Sequence, residues 1–186
     1  MPRIDILTPQ QVAPATAGTL ERLLQDYGPY ASLLGAVAHR PPALEHLFAY
    51  LVQSRRDALI SPRHLEIALL TASKAHACHY CIVLHTPKLA AHGISQAAID
   101  HLLDDQVPGL DAHDLLVRDY ARLVTLTPER IPDEVHRRLR EVYSQAQIVE
   151  LTLRIALCSF FKRFNEALEV PDEDTVAFEL PKAEAP

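Results

Sequence analysis

A carboxylate, two thiols and an imidazole fall within one short window of this chain. They are Glu66, Cys78, Cys81 and His85, spaced Glu-x11-Cys-x2-Cys-x3-His. A thiolate, not a thiol, attacks an electrophile such as a peroxide. Its pKa must therefore fall, and a helix N-terminus or a neighbouring imidazolium lowers it. The attacked sulfur becomes a sulfenic acid, and a second thiol one helical turn away condenses with it to a disulfide. A leaving alkoxide or hydroxide needs a proton, which an imidazole held by a carboxylate can deliver. These residue types read as thiol redox chemistry, with a nucleophile, a base and an orienting acid.

Helical geometry sets what must position them. If Cys78 stands near a helix start, at about 100° per residue Cys81 and His85 fall within ~60° of it on one face. Glu66 cannot join them on one continuous helix, because it would be ~18 Å away along the axis. A reversal near residues 75–77 brings it back. Glu66 then lies ~13 Å down the first helix and His85 ~10 Å down the second, at about the same height. The hairpin predicts a Glu66–His85 pair with Cys81 one turn above it. Pro87 removes the N–H that would bond Val83, so a kink or a restart capped by Thr86 is expected there.

The surrounding elements read as helices. Residues 1–13 are expected to be an extended arm, with Pro2, Pro9 and Pro14 discouraging an early helix. Leu20, Leu23 and Leu24 give residues 16–26 a helical period that ends near Gly28-Pro29. Residues 31–39 suit a short helix. Pro41-Pro42 opens another, whose face is Leu44, Leu47, Phe48, Leu51 and Val52. Ser61-Pro62 starts the helix that carries Glu66 among apolar neighbours, which places it centrally. Gly93 suits a left-handed cap and Ser95 caps a helix running through Leu103. Asp111 opens the next, Pro132 a short one, and Ser144 with Gln147 forms a capping box ahead of a long apolar helix. The Ser-capped helices at 61 and 144 are faintly alike, either as an internal repeat or as two buried helices. No stretch alternates with period two for long, so the expected class is all-α, a bundle of eight or nine helices. Residues 171–186, acidic and proline-bearing, are expected to form an extended or disordered tail.

Bulk composition narrows the function classes. At 186 residues, 48% hydrophobic and 23% charged, the chain suits a single domain with a real core. A net charge of −6 and no basic run argue against nucleic-acid binding. The apolar stretch 155–161 is too short to span a bilayer. The first residues lack a signal peptide's apolar core, and three cysteines are no disulfide framework. A cytoplasmic protein with no membrane partner is expected. Bland alternatives stand beside the redox reading. Cys78, Cys81 and His85, with His76 or His92, could supply a zinc site in a metal-binding or interaction domain. Cys158, among Leu151, Leu153 and Phe160, reads as packing.

At Glu66, Cys78, Cys81 and His85 the sequence resembles the AhpD-like (alkylhydroperoxidase D-type) branch of the carboxymuconolactone decarboxylase superfamily. Residues 151–170, with Phe160, Phe161, Arg163, Phe164 and Asn165, look like that family's C-terminal helix. Length and N-terminal part look like its uncharacterized peroxidase-related subgroup. The resemblance implies an AhpD-like helical bundle with a Cys-x-x-Cys hairpin, homo-oligomers, and reduction of hydroperoxides or disulfides at the expense of an external dithiol. It implies no bound cofactor and no metal. It makes Cys81 the attacking thiol and Cys78 the resolving one, whereas helix-dipole reasoning alone favours Cys78. The best-known member has a histidine just before the second cysteine. Here Tyr80 stands there and His79 one place earlier, and either is a candidate for the proton relay. The decarboxylase branch lacks the cysteine pair, and a lyase using Glu66 and His85 as acid and base is the remaining alternative.

Overall fold

The computed structural model describes residues 2–27 and 30–173. Among the described residues there is no strand; nine α-helices and two 3-10 turns make up the regular structure. The helices are α1 (Pro14–Tyr27), α2 (Ala31–Val37), α3 (Pro41–Asp57), α4 (Pro62–Ala75), α5 (His79–Ala91), α6 (Gln96–Asp100), α7 (Ala112–Leu126), α8 (Asp133–Val142) and α9 (Gln145–Leu168). The fold is all-α, as the apolar periodicity predicts.

The chain clusters into two compact units. One takes in the residues up to Arg56 and those from Asn165 onward; the other runs from Asp57 to Phe164. In the first, Leu20, Leu23, Leu34, Leu44, Phe48 and Leu51 are buried. The Tyr27 ring packs edge-on against Phe48 with centroids 5.6 Å apart. The arm preceding α1 is not wholly extended, because Pro9–Gln11 forms a 3-10 turn in which Thr8 and Gln11 bond each other's backbone. Pro14 does not delay α1 but begins it, a first-turn position whose N–H no helical bond needs. The arm also explains Gly35. A Cβ there would stand 2.6 Å from the Leu7 carbonyl oxygen, where the Leu7 N–H bonds Gly35 O at 3.2 Å.

The second unit holds the chemistry. α4 packs against α7 and α5, and Ile67, Ala68, Leu70, Leu89, Val117, Tyr120, Leu139, Leu151 and Ile155 are buried. Caps set the helix starts. Ser61 Oγ accepts the His64 N–H at 3.2 Å, and Ser95 Oγ accepts that of Ala98 at 3.2 Å. Asp111 Oδ1 accepts the His113 and Asp114 N–H groups at 2.8 and 2.9 Å, and Asp114 Oδ2 accepts the Asp111 N–H at 3.2 Å. Asp114, fully buried, also accepts Arg63 Nη2 at 2.5 Å, so the first turn of α4 is fastened to the first turn of α7. Ser144 and Gln147 form the expected capping box.

Two helix ends differ from expectation. α6 stops at Asp100 rather than Leu103. Lys74 Nζ donates to the Ile99 carbonyl and Arg118 Nη1 to the Leu102 carbonyl at 3.1 Å, so side chains satisfy groups that a longer helix would have bonded. α5 runs through Pro87 with no restart at Thr86. A proline removes one bond from a ladder that burial of Cys81 on one side and Leu89 on the other still holds. The end expected at Gly28-Pro29, and the tail beyond residue 173, lie outside the described residues; residues 171–173 carry no regular structure.

Candidate active site

The reversal between α4 and α5 takes three residues. The Cys78 N–H bonds Ser73 O at 2.9 Å and the Ala77 N–H bonds Lys74 O at 2.9 Å, the paired bonds of a Schellman turn. Ala77 occupies its left-handed position, with φ 52°. The residue that closes this turn, Cys78, is also the N-cap of α5, and its Sγ accepts the Cys81 N–H at 3.4 Å. One short turn therefore ends the first helix and presents a sulfur to the N-terminus of the second.

Glu66 and His85 meet across the hairpin, with His85 Nδ1 and Glu66 Oε2 2.7 Å apart and both side chains nearly buried. Burial is the strongest influence on the Glu66 carboxyl and works to raise its pKa. The His85 charge, the His85 hydrogen bond, Lys88 and Arg154 together outweigh it and hold the carboxyl below its ordinary range. An ionised carboxylate only accepts, so His85 Nδ1 donates in this bond. The carboxylate thus fixes the orientation of an imidazole one helical turn along α5 from Cys81.

All three cysteines are reduced and buried. Hydrogen bonds with Cys158 and then Cys78, together with burial, push the Cys81 thiol well above the usual thiol range. This is the reverse of the lowered pKa expected of a thiol at a helix N-terminus beside an imidazole. Of the two relay candidates, Tyr80 is buried and His79 is exposed. His76 Nε2 lies 2.7 Å from Ser159 Oγ, and His85 is engaged by Glu66. Among the described residues no group of three or more His, Cys, Asp or Glu is placed to hold a metal ion. Nor is any described helix long and apolar enough to cross a membrane.

Two residues on α9 escaped the sequence reading. Cys158, read as packing, stands in hydrogen-bonding contact with Cys81 and 3.6 Å from Ser73 Oγ. Arg154, one turn earlier and buried, pairs with Glu150 at 3.7 Å and adds the smallest of the influences that lower Glu66. The available signal was an arginine inside an otherwise buried stripe, four residues before a cysteine.

Residues 41–111, from the first residue of α3 to the cap of α7, match the Carboxymuconolactone decarboxylase family. The matched carboxymuconolactone decarboxylase segment contains Glu66, both hairpin cysteines and His85, but not α9. Among curated proteins, the chain is 27% identical over 95 residues to the uncharacterized protein YnjA of Escherichia coli, covering 50% of this chain and 52% of YnjA, about half that relative's length. It is 27% identical over 105 residues to the uncharacterized protein YdfG of Bacillus subtilis, covering 55% of this chain and 71% of YdfG. Among solved structures, it resembles an alkylhydroperoxidase AhpD core, an uncharacterized peroxidase-related protein from Ralstonia eutropha JMP134. The TM-score is 0.74 at 17% identity, over 93% of each chain. A peroxidase-related protein from Silicibacter sp. TM1040 gives 0.73 at 18%, over 94% of this chain and 92% of that one. The fold is AhpD-like.

Proposed function

We propose that this chain is a thiol-dependent peroxidase that reduces hydroperoxides through Cys78 and Cys81. The observation that carries the reading is the 2.7 Å Glu66–His85 bond, set on the same hairpin and one turn from a cysteine pair at a helix N-terminus. His85 Nε2 takes the Cys81 proton, and the thiolate attacks the hydroperoxide, breaking its O–O bond. Cys81 becomes a sulfenic acid and the alkoxide leaves, taking a proton back from His85 to become an alcohol. Cys78, one turn away, attacks the sulfenic sulfur, releasing water and forming the Cys78–Cys81 disulfide. An external dithiol then reduces that disulfide and is itself oxidised. Sulfur carries the electrons, so no bound cofactor enters. Tyr80, buried beside Cys81, is better placed than exposed His79 to take part in proton transfer.

The same reading includes a homo-oligomer. Val149, Leu153 and Phe160 are exposed at spacings of four and seven along α9, an apolar face for a second copy to cover.

Cys81→Ser is expected to abolish hydroperoxide-dependent oxidation of a dithiol in a steady-state assay. Undiminished turnover in that variant would reject the reading.

A further inference from the structure

Cys78 is not the only thiol within reach of Cys81. Cys158 comes from α9, distant in sequence, yet several bonds fix it beside the hairpin. Ser73 Oγ donates to Leu69 O at 2.6 Å and lies 3.6 Å from Cys158 Sγ. The carbonyl of the same Ser73 accepts the Cys78 N–H at 2.9 Å. Cys158 Sγ stands 3.9 Å from Leu69 O, and the neighbouring Ser159 hydroxyl is bound by His76, the C-cap residue of α4. A hydrogen bond between Cys158 and Cys81 is the largest influence on the pKa of both thiols, raising that of Cys81 and lowering that of Cys158. Ser73 thus meets the Cys158 sulfur through its hydroxyl and the Cys78 main chain through its carbonyl. Cys158 is 7% exposed and Cys81 5%, so both sulfurs lie inside the protein.

We propose that Cys158 is a second resolving thiol for Cys81. The inference rests on the reading that Cys81 is the sulfur oxidised by hydroperoxide. Once Cys81 is a sulfenic acid, the Cys158 sulfur attacks it and a Cys81–Cys158 bond forms. The sulfenic hydroxyl leaves with the Cys158 proton as water. The external dithiol that restores the pair reduces this bond too: one of its thiols attacks the Cys81 sulfur and releases Cys158 as a thiol, and its second thiol then releases Cys81 as the dithiol closes to its own disulfide. A buried second resolver shortens the lifetime of the sulfenic acid whenever Cys78 is turned away, and so limits irreversible oxidation to the sulfinic acid.

The test uses the full-length chain, reduced, as wild type, Cys78→Ser and the double variant Cys78→Ser/Cys158→Ser. Each is treated with cumene hydroperoxide, and in parallel with diamide, which oxidises adjacent thiols without any peroxidase step. Peptide mass mapping without reductant, and dimedone capture, then read the products. Cys78→Ser is expected to link the peptides bearing Cys81 and Cys158 with loss of two hydrogens, while the double variant accumulates the dimedone adduct. Suppose wild type forms its Cys78–Cys81 bond with hydroperoxide, but Cys78→Ser yields as much dimedone adduct as the double variant. The second-resolver inference is then overturned and the peroxidase reading stands. If wild type is inert to hydroperoxide, the peroxidase reading falls, and so does the resolving role. The diamide arm then decides whether the two thiols pair at all, and an absent Cys81–Cys158 link overturns that as well.

Discussion

Glu66 is the residue whose chemistry is most exposed to test. Its carboxyl titrates below its ordinary value of 4.5 in the folded chain. It therefore contributes stability above that pH, and the contribution is lost as pH falls through the folded pKa. The acid limb of melting temperature against pH is expected to be shallower in Glu66→Gln than in wild type; superimposable limbs would contradict the ion pair. The same variant no longer orients His85 as a base, so hydroperoxide turnover should fall by about a hundredfold, the low end of general acid–base contributions. The four residues of the hairpin were legible because helical arithmetic alone places them. Cys78, Cys81 and His85 share a face of one helix, and a reversal near residue 76 returns Glu66 to the height of His85. Cys158 and Arg154 were not legible. They reach the site only through the packing of a helix more than sixty residues downstream, and no local period reports that.

At the scale of elements, capping chemistry carried most of the boundaries. Ser61, Ser95, Asp111 and Ser144 each offer an oxygen to N–H groups that the first helical turn leaves without partners, and each opens a helix. Reading fails where side chains from elsewhere intervene, as Lys74 and Arg118 do at the end of α6. It also fails where a residue takes an uncommon conformation. A glycine would have announced the left-handed turn between α4 and α5, but the position is held by Ala77. An L-residue there costs roughly 1 kcal/mol against glycine, whose missing Cβ removes the clash with the carbonyl. Ala77→Gly is accordingly expected to raise unfolding free energy by up to about 1 kcal/mol in a urea titration, with the Cys78 cap intact. A loss of stability would mean that the turn is not strained. Because this turn hands Cys78 directly to α5, the thiol's position depends on a single peptide conformation.

For the whole molecule, the family match spans residues 41–111 while the solved relatives cover more than nine-tenths of the chain. The likeness in fold thus extends well beyond the segment that matches the family. That fits the physical division of the structure. The hairpin carries the spacing that chemistry demands, whereas α7 and α8 need only supply apolar volume and a few fixed polar contacts, which many sequences satisfy. It is also why composition and periodicity give the all-α class readily but say nothing of a third thiol against the pair. The central claim is that the hairpin is a redox site, and a thiol count on the intact chain tests it most directly. Reduced wild-type protein, given one equivalent of an organic hydroperoxide and no reductant, is expected to lose two of its three free thiols, with Cys81 in the disulfide that forms. Three thiols still titratable after an excess of hydroperoxide would contradict the account.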